Sequence, residues 1–95
     1  MSAYRTIYKY LLPAQVCELS IPVGGIVLLV STDPATKAPA LWIEHELSGE
    51  VEVRTFIVVG TGGYIEADAK HLGSMNADPF VWHVYERPSG KGSGA

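Results

Sequence analysis

Cysteine is nearly missing from this chain: Cys17 stands alone. No intrachain disulfide can form, so the fold must rest on packing, as is usual in a reducing compartment. Basic residues are scarce as well, seven Lys and Arg against ten Asp and Glu, for a net charge of −3. The seven are scattered, which argues against a protein that grips nucleic-acid backbone and predicts no nucleic-acid partner. No apolar run approaches the roughly 18–20 residues of a membrane span, and Met1-Ser2-Ala3-Tyr4-Arg5 has no apolar signal core. The chain therefore reads as a soluble, cytoplasmic protein with no membrane association.

Chemistry-bearing patterns are equally sparse. No pair among His45, His71 and His83 has the short spacing of a zinc motif, so no metal is expected. There is no nucleophile elbow, no identifiable Ser/His/Asp or Cys/His arrangement, and no metal-hydrolase motif. Cys17 falls on an inward-facing position with no evident base. The expectation is a protein with no catalytic residues and no cofactor, not an enzyme.

What is present is valine, isoleucine and glycine. Hydrophobic residues make up 47% of the 95, enough for one domain with a modest core. Its centre is Val51-Glu52-Val53-Arg54-Thr55-Phe56-Ile57-Val58-Val59, the longest strand-like run, stopped by Gly60-Thr61-Gly62-Gly63-Tyr64. Val51, Val53, Thr55, Ile57 and Val59 alternate with Glu52, Arg54, Phe56 and Val58, the period of a strand with one buried face. The first set is expected inward and the charged set outward.

The remaining segments follow in order. Residues 6–12 form a first strand ended by Pro13. Residues 15–21 form a second, with Cys17, Leu19 and Ile21 inward. Pro22-Val23-Gly24-Gly25 is a turn. Residues 26–31 are a nearly continuous apolar run and predict a buried strand. Two prolines make residues 32–39 a loop, and residues 40–47 resume as a strand. Leu47-Ser48-Gly49 is read as a three-residue hairpin loop with Gly49 in the left-handed region. That register pairs Ile43 with Val53 and leaves Trp42 opposite Arg54 on the outer, charged face, with Glu44 opposite Glu52. A two-residue loop would mix apolar and charged positions on each face. Residues 65–71 have helical composition, residues 72–75 suit a short strand, residues 76–79 a turn, and residues 80–86 a last strand. The architecture expected is a mainly β, antiparallel β-sandwich or small open barrel of six or seven short strands, with one short helix near 65–71. The β-rich domain spans 1–87, and 88–95 is a disordered Gly/Ser tail.

Two features suggest contacts. Consecutive N–H groups in Gly60-Thr61-Gly62-Gly63 can form an anion-binding nest, with Thr61 adding a hydroxyl; a purely structural turn is the alternative. The run is neither a P-loop nor a dinucleotide fingerprint, since no Gly-Lys-Ser/Thr and no long helix follow. Tyr and Trp side chains bury apolar area while keeping a polar tip, which suits interfaces. Trp82 shares a face of its strand with Phe80, and at least one of the two is expected in the core. Trp42, beside Arg54, is the exposed anchor. The contact residues predicted are Trp42, Arg54, Gly60, Thr61, Gly62, Gly63, Tyr64 and His83.

Ile7-Tyr8-Lys9-Tyr10, Ile21-Pro22-Val23-Gly24, Gly60-Thr61-Gly62 and Phe80-Val81-Trp82-His83-Val84-Tyr85-Glu86 together resemble an uncharacterised family of small proteins encoded by bacteriophages and prophages. The resemblance covers most of the chain. It departs at Leu12, where the family more often has proline, and in the Gly/Ser-rich end. It implies a phage or mobile-element setting and no enzymatic role. On that basis the chain is expected to be a small binding protein in the bacterial cytosol, acting on a host or phage protein, for example as an inhibitor of host defence. The alternatives are a sponge for a nucleotide-like phosphorylated ligand and a virion component. Strand edges and aromatic residues suggest a homo-oligomer.

Overall fold

Seven strands form where alternating or continuous apolar runs meet turn residues, and the computed structural model describes residues 4–88. In chain order they are β1 (Arg5–Leu11), β2 (Val16–Pro22), β3 (Ile26–Thr32), β4 (Pro39–Glu46), β5 (Val51–Gly60), β6 (Lys70–Ala77) and β7 (Phe80–Glu86). They build two antiparallel sheets, a three-stranded one in the order β1-β4-β3 and a four-stranded one in the order β2-β5-β7-β6. The two pack face to face in a sandwich. Leu41 and Ile43 from the first sheet meet Cys17, Ile21, Phe56, Val58, Met75 and Val84 from the second, with Leu12 at the rim. Full burial of side chains such as Phe56, Leu41 and Ile43 stabilises the fold by about 1.5–3 kcal/mol each. Cys17, Leu19 and Ile21 point inward as expected. Trp82 packs against the core while Phe80 stays exposed.

The chain changes sheets three times, at 12–15, 23–25 and 47–50, and this overturns the expected β4–β5 hairpin. β4 pairs with β1 and β3, whereas β5 pairs with β2 and β7. Gly49 does take a positive φ, 129°, but the turn it serves carries the chain from one sheet to the other. Two true hairpins remain, β3–β4 and β6–β7.

The faces of β5 are also the reverse of the expectation. Phe56 and Val58 face the core, and Arg54 lies on their side with only 15% of its side chain exposed. Val51 and Val53 face outward and are exposed. Charge burial was expected to forbid this arrangement. It is offset here because Arg54 Nε and Nη2 donate to the two carboxylate oxygens of Glu86 on β7, at 2.6 and 2.8 Å. Nη1 donates to the Gly25 carbonyl at 2.6 Å. A buried guanidinium with a bidentate carboxylate is tolerated where an unpaired one is not.

β3 is an edge strand rather than a buried one. A bulge between Val27 and Leu29 shifts its register against β4, so Leu28 and Leu29 are both exposed along with Ile26. Val27 and Val30 pack inward. β3 also approaches β6 of the other sheet, and a Cβ on Gly73 would lie 2.9 Å from Val30 Cβ. Glycine at 73 therefore sets how closely the two sheets meet at that end.

No helix forms at 65–71; the described residues contain none. Ala69 N–H donates to the Glu66 carbonyl at 3.1 Å in a single turn, and Lys70 and His71 already belong to β6. The topology explains this. β6 pairs with β7 rather than β5, and its first residue is level with Glu86, which is level with Phe56. Residues 61–69 therefore run back across β7, and Lys70 and His71, which the helix would have taken, pair with Glu86 and Tyr85 of β7 instead. The expected tail begins at Pro88, and beyond that residue it lies outside the described residues. No helix among the described residues is long and apolar enough to cross a membrane.

Candidate functional site

With the core shared between the sheets, each sheet turns one face outward, and the predicted contact residues divide between these faces. Arg54 is on neither. Its guanidinium is committed to Glu86 and Gly25 and stands 5.6 Å over the Phe56 ring. Its hydrogen bonds to the Glu86 carboxylate hold its pKa above the already high value of arginine. Trp42 and Arg54 thus lie in different sheets, and the expected placement of one opposite the other on a shared outer face is overturned.

The outer face of the three-stranded sheet is apolar. Trp42 sits in its central strand, between Lys9 of β1 and Leu29 of β3 in the ladder. Ile7 and Ile26 flank Glu44 one row away, and Leu11 flanks Ala40 on the other side. Ile7, Ile26 and Leu29 are 53%, 52% and 51% exposed. The charges on this face are already matched. Arg5 Nε donates to Glu44 Oε2 at 2.6 Å, and Lys9 pairs with Asp33. Asp33 is buried; its carboxylate also accepts from the Thr36 N–H and hydroxyl, at 2.9 and 2.8 Å. Those bonds, the one from Lys9 first, hold the Asp33 pKa down to about 2. Behind this face His45 is buried. Its Nδ1 donates to the Glu46 carbonyl at 2.8 Å, which leaves Nε2 to accept the Tyr10 hydroxyl at 2.9 Å. Burial, and then Tyr8, raise the Tyr10 pKa.

The outer face of the four-stranded sheet is polar where residues 61–69 cross it. Gly60–Gly63 is a β-turn: Gly63 N–H donates to the Gly60 carbonyl at 3.0 Å, and Gly62 has φ 93° at the position that favours glycine. Gly60, Thr61, Gly62 and Gly63 line a depression of about 210 Å³ with His83 and Tyr85. A larger one, about 520 Å³, shares Gly60, Thr61 and Gly63 and adds Gln15, Tyr64 and Arg87. Tyr64 is almost wholly exposed. The guanidinium of Arg87 is held by Glu66, with two bonds of 3.0 and 3.1 Å.

Six of the eight predicted residues, Gly60, Thr61, Gly62, Gly63, Tyr64 and His83, are therefore brought together, and Trp42 and Arg54 are not among them. Two polar residues escaped sequence reasoning. His71 and Ser74 join His83 in one hydrogen-bonded series, because Ser74 lies directly opposite His83 in the β6–β7 ladder. Their spacing, i and i+3 on one strand, hid this. A bulge between His71 and Gly73 adds the extra residue that turns both side chains to the same face.

The sequence pattern of a domain of unknown function, DUF7352, matches residues 3–94. The chain belongs to that family. No curated protein and no solved structure matches it significantly. The DUF7352 match spans both outer faces, so each is a feature of one continuous domain rather than of an appended segment.

Proposed function

We propose that this DUF7352 protein is a non-catalytic binding protein that docks another protein on the outer face of its three-stranded sheet. One observation carries the reading: Trp42 has Leu29 beside it and Ile7, Leu11 and Ile26 at the diagonal positions of the ladder, all four half-exposed, and the charged residues interspersed with them, Lys9 and Glu44, are already paired. Contiguous exposed apolar surface of this kind marks interaction sites, and a central Trp with an apolar surround is the usual composition of a binding hot spot. With Arg5 and Lys9 neutralised in place, the face favours an apolar protein surface over a charged polymer. The resemblance to phage-encoded proteins supports a partner in a bacterial cell, host or viral.

The test is affinity capture with the whole chain beside an Ile26→Glu/Leu29→Glu variant, followed by reconstitution with the purified captured protein. The reading predicts a partner bound by the parent chain and lost by the variant, while the variant's melting temperature stays close to that of the parent. Equal capture by both would remove it. A parent chain that is dimeric in light scattering, with a monomeric variant, would assign the face to a second copy instead.

A further inference from the structure

The polar outer face is independent of that reading and has a chemistry of its own. His71 Nε2 is 3.1 Å from Ser74 Oγ. Ser74 Oγ is 2.7 Å from His83 Nδ1. His83 Nε2 is 3.0 Å from Thr61 Oγ1. Each link joins an imidazole to a hydroxyl, and a hydroxyl can donate or accept. In the neutral state the protons therefore point one way along the whole series, from His71 towards Thr61 or in reverse. One added proton on His83 breaks no link. Nδ1 then donates to Ser74, Nε2 donates to Thr61, and the Ser74 hydroxyl turns to donate to His71 Nε2.

The result is a positive charge at the wall of the 210 Å³ depression, facing a turn of three glycines and one threonine, with Val59, Ile65 and Tyr85 completing the lining. That space has ample room for one tetrahedral oxyanion. The adjoining 520 Å³ depression, open to Tyr64 and Gln15, is in the size range of small-molecule sites.

We propose that the His71–Ser74–His83–Thr61 series is a proton-coupled oxyanion site for a small phosphomonoester. The phosphoryl group sits in the smaller depression against His83 and Thr61, and the organic part lies in the larger one against Tyr64. Binding takes up a proton on His83, so affinity rises as the pH falls. The other titratable groups near this face are Lys70 on β6, Tyr85 on β7, Tyr64, Glu66 and Asp68 on the crossing segment, and Arg87. The neighbouring part of β5, Ile57 and Val59, offers none. Glu66 and Arg87 are paired with each other, and none of these six is of a type that ordinarily changes charge near neutral pH, which leaves the two histidines of the series, His71 and His83, for the His83 variant to separate.

Inorganic sulfate is the first probe, because it does not titrate near neutrality and any pH dependence must come from the protein. Binding to the full chain is followed by the ring signals of His83 and by calorimetry. The site predicts an affinity at least tenfold higher near pH 6 than near pH 8, the range over which histidine ordinarily changes charge. His83→Gln should abolish that dependence and lower the affinity near pH 6 to the level seen near pH 8. Ser74→Ala and Thr61→Val, which replace exposed hydroxyls, should weaken binding by smaller factors without loss of fold. Phenyl phosphate should bind more tightly than sulfate, and Tyr64→Ala should remove that advantage. Equal sulfate affinity at both pH values, full affinity in His83→Gln, or no binding of either anion would overturn the site. Phenyl phosphate binding no better than sulfate would overturn the phosphomonoester.

Discussion

The two outward faces of this sandwich are built from the same alternating strands yet differ in what covers them. On the three-stranded sheet the aliphatic residues of β1 and β3 stay half exposed around Trp42. On the four-stranded sheet the β5–β6 connection passes over β7. There Ile57 is buried, whereas Val51 and Val53, at the uncovered end of the same strand face, are exposed. The difference teaches that a strand's pattern proposes two faces, and the path of the connections decides which of them meets water. The two proposals follow that division, an apolar protein surface for one face and a small oxyanion for the other.

The largest test of this comparison lies between the faces, at Arg54. Were Arg54 on an outer face, truncating it would change stability by less than about 0.5 kcal/mol. Paired to Glu86 in the interior, Arg54→Ala should cost about 3–5 kcal/mol, read by denaturant unfolding. An Arg54→Met/Glu86→Leu double variant should recover much of that loss, since no charge is then left unpaired. Next in size is Gly73, where the sheets close on each other. Gly73→Ala must displace Val30 and should cost about 1–3 kcal/mol. Val30→Ala in the same chain should relieve part of it.

A pH test separates the faces further. The Asp33 carboxylate, held at about 2, has a folded pKa below its unfolded value near 3.9. Its contribution is therefore complete above about pH 4 and is lost as the pH falls through about 2. Lys9 and residues 33–38, at the apolar face, should loosen over that acid range, as seen in amide exchange. An Asp33→Asn variant should lose that acid transition, while exchange across the polar face should be the same in both chains. The smallest effect is expected on the apolar face itself: Ile7→Lys or Leu29→Lys should stay within about 0.5 kcal/mol of the parent. A loss of several kcal/mol would mean that these side chains are buried in solution, in a second copy or against the chain itself.

Much of this was legible from residue order. The strands at 5–11, 16–22, 39–46, 51–60 and 80–86 follow from period-two alternation and from the glycines and prolines that bound them. The inward set Cys17, Leu19 and Ile21 was readable because its outward neighbours, Glu18 and Ser20, are polar. In β5 both faces carry valine, and the charge that was expected to break the tie pointed the wrong way. Arg54 is buried because Glu86, 32 residues along the chain, supplies two acceptors, and no local pattern reports such a partner. The helix expected at 65–71 failed for a related reason. Its composition is helical, but the span back across β7 and the hydrogen bonds offered by that strand outweigh a propensity worth tenths of a kcal/mol per residue.

By itself the order of residues determined that this chain is a β-rich domain, where most of its strands run, and that Gly60–Gly63 is a tight turn bearing Thr61. These are local matters, set by side-chain period and by which residues tolerate a turn. Tertiary structure alone decided which strands share a sheet, which face of β5 is interior, and that Ser74 stands between His71 and His83. Those outcomes depend on contacts between segments far apart in the chain, whose energies of packing and charge pairing exceed any local preference.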